Sequence, residues 1–200
     1  TSGGGITAIP SGDYWDNGEF NIFWDIEKLD DGSWIYEYTL DAENRDISHF
    51  ILEVTKEADL SEFTIGYSDI ESPTDWGPAP SNPALDQEFY GIKFDNVDTN
   101  TLYKSSEQSI TFTLETKRSP VYGVFYAKDG ATGGGAGGGD DIAAWSSALD
   151  LEDYTTSDLT DDYIPRPNGF SIPEPTTMLL LGTGLFGLAG FARKKLCKNS

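Results

Sequence analysis

Residues 20–40 read FNIFWDIEKLDDGSWIYEYTL, two alternating runs on either side of Asp31-Gly32. Upstream, Phe20, Ile22, Trp24 and Ile26 fall on one face. Downstream, Trp34, Tyr36, Tyr38 and Leu40 do the same. A period of two places alternate side chains on one side of a pleated strand, and Asp-Gly readily adopts the backbone of a tight turn. The stretch therefore predicts an antiparallel hairpin with one aromatic face turned to a core.

Working outward, the same period recurs. Phe50, Leu52 and Val54 alternate, as do Phe63, Ile65 and Tyr67. Tyr90, Ile92 and Phe94 make a short run, and Ile110, Phe112 and Leu114 alternate with Thr111, Thr113 and Glu115. Val121 to Tyr126 is apolar on both faces, the pattern of a central strand. About seven short strands with turn signals between them, and no alternation of strands with helices, predict a mainly β chain. The expected form is an antiparallel β-sandwich with jelly-roll or immunoglobulin-like connections. Ser72 to Pro83 carries four prolines and reads as a loop. Residues 133–139, GGGAGGG, read as a flexible loop or linker. Ile142, Trp145 and Leu149 fit helical spacing, and a last strand fits as well.

The chain has 200 residues, 13% of them aromatic, and a formal net charge of −21. The charge is uneven: residues 1–172 hold 33 acidic and 9 basic side chains, a net of −24. Such a body repels phosphate backbones and anionic lipid surfaces, which excludes nucleic acid as a partner. It suits solubility, cations or basic partners. The only cysteine is Cys197, so the preceding residues form no disulfide with one another and the domain stands on packing.

After position 172 the composition changes. Thr176 to Ala192 is seventeen residues without a charge, followed by Arg193-Lys194-Lys195. As a helix this segment is about 25 Å long, close to what a bilayer core requires. The basic stop puts that end in the cytoplasm and the acidic body outside it. The expected organisation is a β-sandwich ectodomain over 1–149, an acidic stalk over 150–172 and a membrane-spanning signal over 173–200.

Pro173-Glu174-Pro175, the short Gly/Leu-rich apolar span and Arg193-Lys194-Lys195, in this order, resemble the PEP-CTERM sorting signal of bacterial surface proteins. The resemblance implies recognition by an exosortase, a membrane-embedded processing enzyme. It further implies cleavage near the Pro-Glu-Pro, an inner-membrane intermediate, and delivery to the cell surface or extracellular matrix alongside exopolysaccharide and biofilm. Four segments of the body also resemble stretches of uncharacterised β-sandwich ectodomains that carry this signal: Ile47–Phe50, Tyr90–Asp95, Pro120–Gly130 and Arg166–Gly169.

The body offers little that reads as catalysis. His49 is the only histidine, it lies in a predicted strand, and no G-x-S-x-G turn accompanies it. The expectation is a non-enzymatic protein. A hydrolase built on paired carboxylates would need a spacing that sequence does not reveal. No organic cofactor is expected. Calcium is the candidate ion, with Asp13 and Asp16 in one Asp/Asn/Gly stretch and Asp95 and Asp98 in another. Neither follows the helical calcium-loop pattern, and ordinary turn chemistry accounts for both. Trp15, Trp76 and Trp145, which fall near predicted loops, are the candidates for stacking on sugar rings.

Overall fold

The computed structural model describes residues 6–9, 20–42, 47–95, 97, 108–129, 143–150 and 163–171. These form twelve strands, two single 3-10 turns and no α-helix. In chain order the strands are β1 (Ile6–Ile9), β2 (Phe20–Lys28), β3 (Trp34–Ala42), β4 (Ile47–Glu53), β5 (Thr64–Ile65) and β6 (Ile70–Trp76). Then come β7 (Phe89–Asp95), β8 (Gln108–Thr116), β9 (Arg118–Gly123), β10 (Phe125–Asp129), β11 (Ala143–Ser146) and β12 (Ile164–Ser171).

The hairpin forms as its pattern predicts. β2 pairs with β3 from Phe20↔Ala42 to Lys28↔Trp34. The turn closes through Leu29 N–H to Ser33 O at 2.8 Å, and Gly32 takes φ +84, a conformation open to glycine without a Cβ penalty. Asp31 accepts hydrogen bonds from the Ser33 hydroxyl at 2.6 Å and from the Ser33 N–H at 3.0 Å. Those donors, followed by Lys117, hold its carboxyl below the usual range.

Two antiparallel sheets make the body. One has the order β1-β11-β10-β4-β7-β6 and the other β2-β3-β8-β5. Their facing side chains form the main core. The Phe50 ring lies 5.8 Å from Phe94, 5.6 Å from Phe112 and 6.1 Å from Phe125. Tyr36, Tyr38, Leu40, Leu52 and Ile92 are buried around them. Each such side chain withdraws enough apolar surface to contribute about 1.5–3 kcal/mol.

The six-stranded sheet also has a second apolar layer. Ile51, Leu85, Phe89, Tyr126, Trp145 and Tyr163 cluster with one another away from the main core. β4 lies between β10 and β7, and all but Ser48 of its residues are buried. This explains why its sequence, ISHFILE, alternates so poorly.

Three expectations change, and one open choice is decided. The apolar run 121–126 is divided: β9 ends at Gly123 and β10 begins at Phe125. β6 occupies the first part of the proline-rich stretch read as a loop. It is an edge strand, and its pairing with β7 is irregular between Glu71 and Thr74, around Pro73, where a missing donor is tolerated. Residues 143–150 adopt the strand alternative, followed by one 3-10 turn at Ser147–Asp150. Finally, the compact unit holding the sandwich runs to Phe170 rather than ending at 149. β12, placed by sequence in a stalk, pairs with β9 and buries Ile164 to 3% exposure. The glycine run 133–139 and the apolar span 176–192 lie outside the described residues.

Candidate functional site

A cleft of about 430 Å³ opens where the end of β4, the segment after it, β6, β7 and β12 come together. Glu53, Thr55, Lys56, Asp75, Tyr90 and Arg166 are among its lining residues. Its deepest polar feature is an ion pair, Arg166 Nη2 to Glu53 Oε1 at 3.0 Å, with side chains 9% and 12% exposed. At the rim, Lys56 and Asp75 pair at 3.1 Å in solvent.

Backbone and packing fix the deep pair. Val124 N–H donates to Glu53 Oε2 at 2.8 Å, while Glu53 N–H donates to Val124 O at 3.1 Å. Arg166 Nη1 donates to Pro167 O at 3.3 Å, and its buried Nε has no hydrogen-bond partner among the described residues. The guanidinium arm lies against Gly123, where a Cβ would stand 2.2 Å from Arg166 Cδ and Nε. Only a residue without a side chain admits the arginine there. Burial raises the Glu53 carboxyl above its ordinary value, and Arg166 with the Val124 N–H pulls it back down.

A second buried arginine braces the same region. Arg118, 3% exposed, donates through Nε to Glu62 Oε2 at 2.9 Å and through Nη2 to Glu57 O at 3.3 Å. Glu62 also closes the capping box of the 3-10 turn at Leu60–Glu62, which fixes the segment leading out of the cleft. The two tyrosines of β3 hold the paired strands that carry these arginines. Tyr36 Oη donates to Arg118 O and Tyr38 Oη to Pro165 O, each at 2.7 Å.

Chemically, both Glu53 oxygens are engaged, one by a guanidinium and one by an amide. The carboxylate is therefore committed to structure rather than poised as a base. Thr55, Lys56, Asp75 and Tyr90 leave hydroxyl, ammonium, carboxylate and phenol groups around the opening, a set that matches a polar, hydroxyl-rich ligand.

The residues singled out from sequence are not brought together. Trp145 is only 4% exposed within the second apolar layer, so its ring is core and offers no stacking platform. Trp76 is half-buried on β6. Its Nε1 donates to Gly91 O at 2.9 Å, and Lys93 Nζ lies 5.2 Å from its ring centroid. Asp95 engages Lys93 at 2.8 Å, and that lysine also meets Glu71 at 2.7 Å. Among the described residues no three His, Cys, Asp or Glu side chains group as metal ligands. His49 is 5% exposed, stacks on Tyr126 at 5.9 Å, and is pushed down to about 4, chiefly by burial. It is a neutral interior residue at ordinary pH. Asp13, Trp15, Asp16, Asp98, Pro173, Glu174, Pro175, Arg193, Lys194 and Lys195 lie outside the described residues.

The cleft residues were not visible in the sequence pattern. One signal was available: residues 1–172 contain only three arginines, Arg45, Arg118 and Arg166, amid 33 acids. Three large aromatics of the predicted strands are exposed: Phe23 at 47%, Tyr122 at 44% and Trp24 at 37%. Trp24 shares a face with Phe20 and Ile22 as expected, but full burial on that face ends at Ile22.

Beyond β12 the chain has a defined relative. Residues 171–194 match the PEP-CTERM protein-sorting motif. The chain carries an exosortase signal. It is accordingly an exported protein, sorted and anchored through its C-terminal segment. No curated protein and no solved structure matches the chain.

Proposed function

We propose that this PEP-CTERM protein is a non-enzymatic structural or adhesive component of an extracellular polysaccharide matrix or biofilm. In this reading the segment 176–192 spans the inner membrane as an intermediate. The sandwich lies outside the cytoplasm until exosortase hands the protein on to the surface. The observation that carries the reading is the sorting motif at 171–194, which starts on the last residue of the last strand of an acidic all-β body. An acidic, cysteine-poor sandwich that relies on packing suits a protein meant to persist in a matrix.

A more specific reading is favoured by the cleft, which hydroxyl, ammonium, carboxylate and phenol groups line. It makes the sandwich a carbohydrate-binding module, with Trp24 and Trp76 as further stacking surfaces. Calcium, if bound, would act through Asp13, Asp16, Asp95 or Asp98.

Both readings are tested with the exported protein on a polysaccharide array, with and without calcium. The cleft reading expects saturable binding that falls at least tenfold in Lys56→Ala or Asp75→Ala, two rim residues of the opening. Binding unaffected by those changes, or lost only on Trp15→Ala, moves the site elsewhere. In the producing bacterium, a chain lacking residues 173–200 is expected to miss the surface. Equal surface amounts of both chains would overturn the sorting role.

A further inference from the structure

We propose that β12 is contested between the sandwich and exosortase, so that docking of this strand and reading of the sorting motif exclude each other. The inference rests on the exosortase reading of the motif above.

The overlap is explicit. The motif begins at Ser171, which is also the last residue of β12. Only Ile172 separates that strand from Pro173. An enzyme that takes a substrate segment into its own site needs extended backbone with free N–H and C=O groups. Here the backbone just before Pro-Glu-Pro is already spent on β9. The last part of the acidic segment read as a stalk, Ile164–Ser171, is folded as β12.

The way β12 is held makes it releasable. It carries Pro165 and Pro167, which lie on the same edge of the strand and have no N–H to donate. β12 and β9 form a two-stranded sheet of their own, and a two-stranded ribbon is marginal without outside support. That support comes from side chains. Tyr38 Oη donates to Pro165 O at 2.7 Å, Arg166 pairs with Glu53 at 3.0 Å, and Ile164 is 3% exposed. Opening the strand gives up these contacts, the Arg166–Glu53 pair among them. The strand therefore behaves as a clasp, closed when the sandwich is complete and open when the motif is read.

The test is a pulse–chase of the full chain in a host carrying exosortase, following loss of the C-terminal segment. Three variants are compared with the parent: Tyr38→Phe, a ten-residue Gly-Ser insertion between Ser171 and Ile172, and the two combined. Tyr38→Phe removes one hydrogen bond to β12 and keeps the ring in the core. It is expected to speed processing about two- to tenfold, the factor set by one net hydrogen bond. Amide exchange should rise in β12 while the melting of the remaining sheets stays put. The insertion should speed processing on its own, and Tyr38→Phe should add nothing to it. Equal rates for the parent and the insertion would overturn the proposal, as would a Tyr38→Phe effect of the same size in both backgrounds. If no chain is processed, the exosortase reading itself fails and the clasp with it.

Discussion

Replacing Arg166 with alanine should expose how much the sandwich depends on one late side chain. The change leaves Glu53, 12% exposed, without the guanidinium that meets it at 3.0 Å. Removing one partner of a buried pair costs about 3–5 kcal/mol, because the remaining charge stays out of water. Against a total stability of about 5–15 kcal/mol that is a large fraction. At about 2–4 °C per kcal/mol for a domain this size, the melting temperature should drop by about 6–20 °C. The loss also carries a pH signature. Glu53 sits above its ordinary value of 4.5 because burial outweighs Arg166 and the Val124 N–H. A carboxyl raised on folding contributes most below the unfolded value, and the contribution drains away as pH rises through the folded one. Without Arg166 the folded value climbs further. The variant's deficit should then be largest near pH 7.5 and shrink toward about pH 4.5. The assay is urea denaturation of residues 1–171, followed by tryptophan fluorescence at both pH values. Glu53→Gln combined with Arg166→Met, which keeps an acceptor for the Val124 N–H, should recover most of the loss, as neutral replacements of buried pairs often do. A deficit under about 1 kcal/mol, or one identical at both pH values, would refute the burial argument.

Two further outcomes follow from the same neighbourhood. Gly123→Ala places a Cβ 2.2 Å from Arg166 Cδ and Nε. It should cost about 1–3 kcal/mol by displacing the arm, measured as a shift in urea midpoint, and little in an Arg166→Ala background. Glu62 has the opposite pH sign to Glu53, because the Arg118 hydrogen bond holds it below its ordinary 4.5. The deficit of Glu62→Gln should be present above that pH and fade as pH falls through the lowered value, read from midpoints across an acid titration.

The parts of the fold legible in the sequence are those with one dry face and one wet face. β2, β3 and β8 belong to the four-stranded sheet, where Tyr36, Tyr38, Phe112 and Leu114 point inward and Glu37, Thr111 and Thr113 do not. Alternation survives there because only one side is covered. The six-stranded sheet is covered on both sides, so β4 and β10 lose the pattern. Trp145 reads as a stacking candidate near a loop because the second apolar layer has no local signature. β12 hid for another reason. Its prolines and polar neighbours resemble a linker, and its burial depends on Glu53, more than a hundred residues away in the chain. The cleft inherits that difficulty, since its floor is made by a pairing that no local window contains.

The order of strands in the larger sheet bears on how the protein travels. Ile6 pairs with Ser146 and Ile9 with Ala143, so the first strand finds its place only against the eleventh. Such distant pairings close slowly, because a long loop must be ordered before any contact repays it. A chain threading through a narrow passage with its N-terminal end leading therefore cannot lock this sheet until residue 146 has emerged. Late closure leaves this edge of the sheet open until then, and sets the moment of its completion by the arrival of the chain's last third.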